Sequence, residues 1–170
     1  MSRIDQNNIL SGLYKYFPII LLFVSVLNEF DFNYLGLEYF SFNFAYILIF
    51  YYNLKKTETF GYGLIFIAGL FNDVVVGTPI GLSSLVYLLI CGAAAYLKNI
   101  TLRPNLLKDW IFFLLTILTI NSIYLLILTI IFDYEVIIFN QMINIIFTFI
   151  FYPFFIYSFS FVRKVLIGSY

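Results

Sequence analysis

Asp73 is an acid placed inside an apolar run, in the stretch FNDVVVGTPIGLSS at positions 71 to 84. An acid at the centre of a membrane helix costs about 2.5–3.5 kcal/mol, and less near the interface. Counting from Gly61 at about 1.5 Å per residue puts Asp73 about 18 Å along its segment, past the midplane of a bilayer. A carboxylate at that depth either accepts hydrogen bonds from a neighbouring helix or takes part in moving protons or substrate.

Other side chains that carry catalysis are scarce. The chain has no histidine and a single cysteine, Cys91, which lies in a hydrophobic run. It therefore lacks the commonest general base and metal ligand, and Cys91 is expected to be a small residue at a helix contact. Ser83 and Ser84 have no histidine or lysine at their depth to activate them. An intramembrane aspartyl site would need two facing acids, so we predict a protein that is not an enzyme and holds no metal or cofactor.

Gly69, Asp73 and Gly77 share one helix face, because they are spaced by four residues. Small residues on such a face let membrane helices approach closely, so the face presents Asp73 to a neighbouring helix. The structural interpretation is a carboxylate that hydrogen-bonds the amino end of the next helix, and the functional one is a proton or substrate site. We favour the first, since a proton relay normally needs several intramembrane ionisable groups.

The residues after Asp73 indicate a tight turn. Gly77 is expected in the left-handed conformation that ends the third helix. Thr78 suits the N-cap and Pro79 the first position of the fourth helix, and Gly81 leaves room on its inner face. The free N–H groups and partial positive charge at the start of that helix would then attract the Asp73 carboxylate.

The composition indicates an integral membrane protein. The 170 residues are 63% hydrophobic and 11% charged, against about 45–50% and about 25% in soluble domains. A spanning helix needs about 20 mostly apolar residues. The chain offers six candidates, at about positions 14–30, 40–54, 60–77, 81–97, 109–132 and 136–161, of which the second is short unless its neighbours join it. We predict an all-α integral membrane protein in which residues 1–170 form a single polytopic domain of six transmembrane helices.

The charges predict the orientation of these spans. All 9 basic residues fall near the two termini or in the connections after the second and fourth spans. The opposite connections carry acids instead, namely Glu29, Asp31, Glu38, Asp133 and Glu135. The positive-inside rule therefore puts both termini in the cytoplasm. The net charge of zero gives no basic footprint for nucleic acid.

The topology predicts the result of reporter fusions. Fusions after Lys56, after Arg103 and at the C-terminus should report the cytoplasm, because each follows a basic connection or end. A fusion between Glu29 and Glu38 should report the outside. Paired alkaline phosphatase and green fluorescent protein fusions measure this directly, and an outside signal from the C-terminus would contradict the six-span topology.

Polar amides occur in the last two spans, which contain Asn121 in the fifth and Asn140, Gln141 and Asn144 in the sixth. Asn140 and Asn144 lie one turn apart on one face. Amides in lipid usually serve as interhelical hydrogen-bond partners, worth about 0.6 kcal/mol on average. We expect that role for Asn140 and Asn144, with a ligand pocket as the alternative.

In combination these features resemble the bacterial rod-shape-determining MreD family. The resemblance covers nearly the whole chain and rests on six short-looped spans with cytoplasmic ends and on one motif. That motif begins with a glycine-rich run and an Asp, which are followed by three apolar residues and a Gly. A residue that is either Ser or Thr comes next, and a further Gly comes after it. In GLFNDVVVGTPIGL its matching positions are Asp73, Gly77, Thr78 and Gly81. The stretch SFNFAYILIFYYNL and the RKV at 163–165 are also similar to the family.

The resemblance implies a non-enzymatic subunit of the elongation complex in the bacterial inner membrane. Its partners would be MreC and, through it, MreB and the RodA–transpeptidase synthase of the lateral cell wall. The resemblance also implies a fold like the substrate-binding subunits of energy-coupling-factor vitamin transporters, which are the alternative function. Those subunits couple through an alanine-x-x-x-alanine face on an early helix, and PIILLFVSVL has no alanine. That difference favours the scaffold, since fold analogy alone cannot fix function.

Overall fold

The described part of the chain is entirely helical. A computed structural model describes residues 16–26, 41–55, 60–101, 105–134 and 137–167. These residues contain no β-strand and form six α-helices. The helices are α1 (Tyr16–Val26), α2 (Phe44–Lys55), α3 (Tyr62–Val76), α4 (Leu82–Ile100), α5 (Leu106–Phe132) and α6 (Ile138–Ile167). The all-α prediction is confirmed for these residues.

Three of the helices, α4, α5 and α6, are long and apolar enough to cross a membrane. The helices α1 and α3 are apolar but shorter. These lengths and compositions support a membrane protein. The six spans and the cytoplasmic termini stay predictions, because both ends of the first predicted span (14–30) and the connection that follows it lie outside the described residues.

The core of the fold is α2, in which every residue from Phe44 to Leu54 is buried. Its sequence, FAYILIFYYNLK, is apolar on all sides up to the last turn, and a helix of that kind belongs in the interior. Both α4 and α6 pack against α2, α5 packs against α4 and α6, and α3 packs against α4. With 12 residues, α2 is about 18 Å long, which is shorter than a hydrocarbon core of about 30 Å.

Polar side chains of α6 meet the start of α2. The Asn43 side chain caps α2 by accepting a hydrogen bond from the Tyr46 N–H (3.4 Å), and its own N–H donates to the Thr148 hydroxyl (2.8 Å). Beside them the Asn144 amide donates to the Ser41 hydroxyl (3.1 Å). Because an unsatisfied backbone N–H in an apolar medium costs several kcal/mol, these contacts let a helix begin inside the protein.

The α6 helix continues through Pro153. Proline has no N–H, so the carbonyl four residues earlier loses its helical partner. That carbonyl, of Phe149, accepts a hydrogen bond from the indole N–H of Trp110 on α5 (2.9 Å). The two rings stack with centroids 4.7 Å apart. The chain's one tryptophan thus replaces the missing hydrogen bond and joins α5 to α6.

Candidate functional site

The Asp73 carboxylate is completely buried and has hydrogen-bond donors on both oxygens. Its Oδ1 accepts from the Thr78 hydroxyl (3.0 Å) and the Ser83 N–H (2.9 Å), and its Oδ2 accepts from the Gly81 N–H (2.7 Å). Two of these donors are free N–H groups at the start of α4, which has no capping side chain of its own at Gly81. The acid of α3 therefore caps α4, and its charge also suits the positive end of the helix dipole.

The backbone of Asp73 closes the other side of the same turn. Its carbonyl accepts hydrogen bonds from the N–H groups of Gly77 (2.9 Å) and Thr78 (3.0 Å). Gly77 takes φ 78°, the left-handed conformation we expected to end α3. One residue thus fixes both the end of α3 and the beginning of α4. We refer to residues 69–84 as the Asp73 hairpin.

The expected roles of Thr78 and Pro79 as N-cap and first residue of helix four are wrong. The N-cap is Gly81, and α4 begins at Leu82. The Thr78 hydroxyl donates to Asp73 instead of accepting from the helix, and the Pro79 carbonyl accepts from the Leu82 N–H (3.2 Å). Gly81 has φ 98°, a conformation that favours glycine, so its role is to turn the chain into α4. The expectation that it leaves room on the inner face is wrong, because a Cβ there would meet nothing within 4 Å.

The face that carries Gly69 packs directly on α4. A Cβ at Gly69 would lie 2.5 Å from the backbone nitrogen of Ser84, so only glycine fits there. The Ser84 hydroxyl donates to the Phe66 carbonyl (2.8 Å), and the Asn72 amide donates to the Ser83 hydroxyl (3.0 Å). Both serine hydroxyls of GLSS are therefore engaged in joining α3 to α4.

The geometry of the Asp73 hairpin favours the structural interpretation of the acid. An ionised carboxylate only accepts hydrogen bonds, and here it faces a hydroxyl and two N–H groups of its own chain. Among the described residues, no three His, Cys, Asp or Glu side chains lie close enough to hold a metal ion. The hydroxyl and the two N–H groups stabilise the buried Asp73 carboxylate with fixed dipoles. This network of hydrogen bonds rigidifies the turn.

The two amides predicted on α6 are separated by the structure. Asn144 is half-buried and makes the hydrogen bond to Ser41 described above. Asn140 is exposed in the first turn of α6. Asn144 therefore bonds to the segment that precedes α2 and not to a residue of another helix, so the interhelical role expected for the two amides stays a prediction, and the two do not converge on one site.

Two contacts at the opposite end of the bundle were missed from the sequence. The Lys55 ammonium lies 3.2 Å from the Asp109 carboxylate, which joins the end of α2 to the first turn of α5. The feature of the sequence that could have indicated this ion pair was Asp109, an acid in a connection that is otherwise basic. Higher in the core, the Asn53 amide donates to the Cys91 sulfur (3.4 Å), so the buried Cys91 does lie at a helix contact.

The fold and the site define an all-helical protein with membrane-length helices and a buried acid that caps a helix of its own chain. No protein-family model, no curated protein and no solved structure matches the chain.

Proposed function

We propose that the chain is a non-enzymatic scaffold subunit of the bacterial elongation complex, similar to the MreD family, and acts in the inner membrane. It helps to organise lateral cell-wall synthesis by binding MreC and, through it, MreB and the RodA–transpeptidase synthase. The observation that carries the proposal is the Asp73 hairpin. The residues that make the family motif, Asp73, Gly77, Thr78 and Gly81, converge in one hydrogen-bonded turn.

A structural role for this motif fits a scaffold. Both oxygens of the acid accept hydrogen bonds from its own chain, so the motif specifies a shape. The rigid hairpin also sets the position of α3, whose outer side exposes large apolar residues such as Phe71 and Val74. Large exposed apolar surfaces face either lipid or another protein, and a scaffold subunit needs such a lateral surface.

Depletion of the protein tests the proposal. Rod-shaped or curved cells of the source bacterium should become round when the protein is removed, because lateral wall synthesis loses its organisation. The alternative, a substrate-binding subunit of a vitamin-type transporter, predicts normal shape and an unmet need for one vitamin. Light microscopy with and without vitamin supplements separates the two.

Site-directed photocrosslinking identifies the partner in the same cells. A crosslinking amino acid at the exposed positions Val74, Ile130 and Phe154 samples the lateral faces of α3, α5 and α6. The same amino acid at the fully buried Ile65 and Ile117 is the matched control. We expect an adduct with MreC from at least one exposed position and from neither control. Normal shape after depletion, with no MreC adduct from any span, would refute the scaffold.

A further inference from the structure

The turn of the Asp73 hairpin, residues 77–81, carries no charged side chain and exposes an apolar one. Ile80 lies in this turn and is 78% exposed, the largest exposed fraction of any large apolar side chain in the described part of the chain. Asp73 is the only charged residue among positions 59–97 of the sequence, and it is completely buried. The surface of the turn is therefore uncharged, and its most exposed side chain avoids water.

The two helices of the hairpin are too short to carry the turn across a bilayer. The helix α3 begins at Tyr62 and has 15 residues, and the part of α4 from Leu82 to Tyr96 has the same length. Both tyrosines are exposed, at 61% and 62%. Exposed tyrosines are typical of the membrane interface, which here is the cytoplasmic one in the predicted topology. Helices of this length extend about 22 Å, so the turn ends about 8 Å short of the far side of a hydrocarbon core of about 30 Å.

The neighbouring helix α5 is long enough to leave the hydrocarbon. Its 27 residues extend about 40 Å, and the connection that follows it carries the acids Asp133 and Glu135. Tyr134, next to Asp133, donates a hydrogen bond from its hydroxyl to the Gly77 carbonyl (3.3 Å). The turn of the hairpin thus receives from a tyrosine a hydrogen bond that a turn in water would receive from solvent.

Most backbone N–H groups of the turn are satisfied inside the hairpin, chiefly by Asp73. Its carbonyl and its carboxylate accept from four of them, which belong to Gly77, Thr78, Gly81 and Ser83. Pro79 has no N–H to satisfy, and its carbonyl accepts from the Leu82 N–H. Backbone groups that lie in hydrocarbon must find their partners within the protein, because no water is present there. The turn is built in a way that meets this requirement.

We propose that the turn of the Asp73 hairpin stays below the outer aqueous phase and that Ile80 lies against the acyl chains of the outer leaflet. The partner of this surface is lipid. Asp73 allows the insertion, because it supplies within the protein the acceptors that water supplies to an exposed turn. Both helices of the hairpin then enter from the cytoplasmic side and end inside the outer leaflet. The proposal concerns the depth of the turn and does not depend on the scaffold function.

Electron paramagnetic resonance of the full chain in phosphatidylcholine vesicles measures this depth. A nitroxide label is attached at Ile80→Cys, at Val74→Cys on the exposed side of α3, and at Asp133→Cys in the charged connection. The unaltered chain gives the background, since Cys91 is buried. Molecular oxygen concentrates in hydrocarbon, whereas a water-soluble nickel chelate is excluded from it. We expect the labels at positions 80 and 74 to collide several-fold more often with oxygen than with the chelate, and the label at position 133 to show the reverse.

Two results would overturn the proposal. Collisions of the position 80 label with the nickel chelate as frequent as those at position 133 would show that the turn is in water. Protection of that label from both reagents would show that a second copy of the chain covers the turn instead of lipid.

A comparison of Ile80→Glu with Ile80→Val tests the same depth without a label. Both side chains fit an exposed position, but a carboxylate at position 80 would have to lie in hydrocarbon. We therefore expect several-fold lower abundance in the membrane for Ile80→Glu than for Ile80→Val, measured by immunoblot of membrane fractions. Equal abundance of the two variants would contradict a turn that contacts acyl chains.

Discussion

Replacing Asp73 with leucine is expected to open the Asp73 hairpin and to lower the free energy of unfolding by about 3 kcal/mol or more. Three donors, the hydroxyl of Thr78 and the N–H groups of Gly81 and Ser83, would lose their acceptor inside the protein. A buried donor left without a partner costs about 1–3 kcal/mol; the Ser83 N–H is buried, and the Thr78 hydroxyl and the Gly81 N–H are partly buried and add less. The change is measured as the melting temperature of the purified protein in detergent and as its abundance in the membrane.

Asp73→Asn is the conservative counterpart. Its amide oxygen can still accept from Thr78 and Ser83, but its NH₂ group would face the Gly81 N–H. We therefore expect a loss of about 1–2 kcal/mol, which is smaller than the leucine effect, and near-normal membrane levels. Equal losses in the two variants would contradict the capping role. Loss of cell shape in Asp73→Asn at full abundance would instead favour a proton-coupled or ion-coupled acid.

The hairpin was largely predictable from the sequence because its determinants are local. An acid followed at four residues by glycine specifies a helix end next to a carboxylate, and Gly77 adopts the expected conformation. The start of α4 was misplaced for a physical reason. Thr78 is a good N-cap by propensity, but the buried Asp73 carboxylate needs a donor, so the Thr78 hydroxyl bonds to it. Satisfying a buried charge outweighs a local capping preference.

The contacts that organise the core could not be found in this way. The Asn43 N–H bonds to Thr148 across a sequence separation of 105 residues, and the Trp110 indole bonds to Phe149 across 39. Hydrophobic periodicity gives the face of a helix but not the depth at which two helices meet. The shortness of α2 is a related case, since its apolar run predicted a span. Only the hydrogen bond between Asn43 and Thr148 on α6 shows where the helix begins.

Gly69→Ala is expected to destabilise the protein, although alanine is the better helix former. The new Cβ would lie 2.5 Å from the Ser84 backbone nitrogen and 2.7 Å from its hydroxyl oxygen. Since the obstacle includes backbone, α3 and α4 must move apart, and overpacking of this kind costs about 1–3 kcal/mol. The separation would also lengthen the hydrogen bonds from Asn72 to Ser83 and from Ser84 to Phe66.

Gly92→Ala on α4 is the matched control, since a Cβ there meets nothing within 4 Å. Replacing a glycine inside a helix without a clash should raise the free energy of unfolding by about 0.5–1 kcal/mol. The same chemical change thus has opposite signs at two helical glycines, and melting temperatures in detergent measure both. A Gly69→Ala protein as stable as the Gly92→Ala protein would show that α3 and α4 do not pack this closely. The capping geometry of Asp73 would then lose its support, because the carboxylate reaches the start of α4 only when the two helices are in contact.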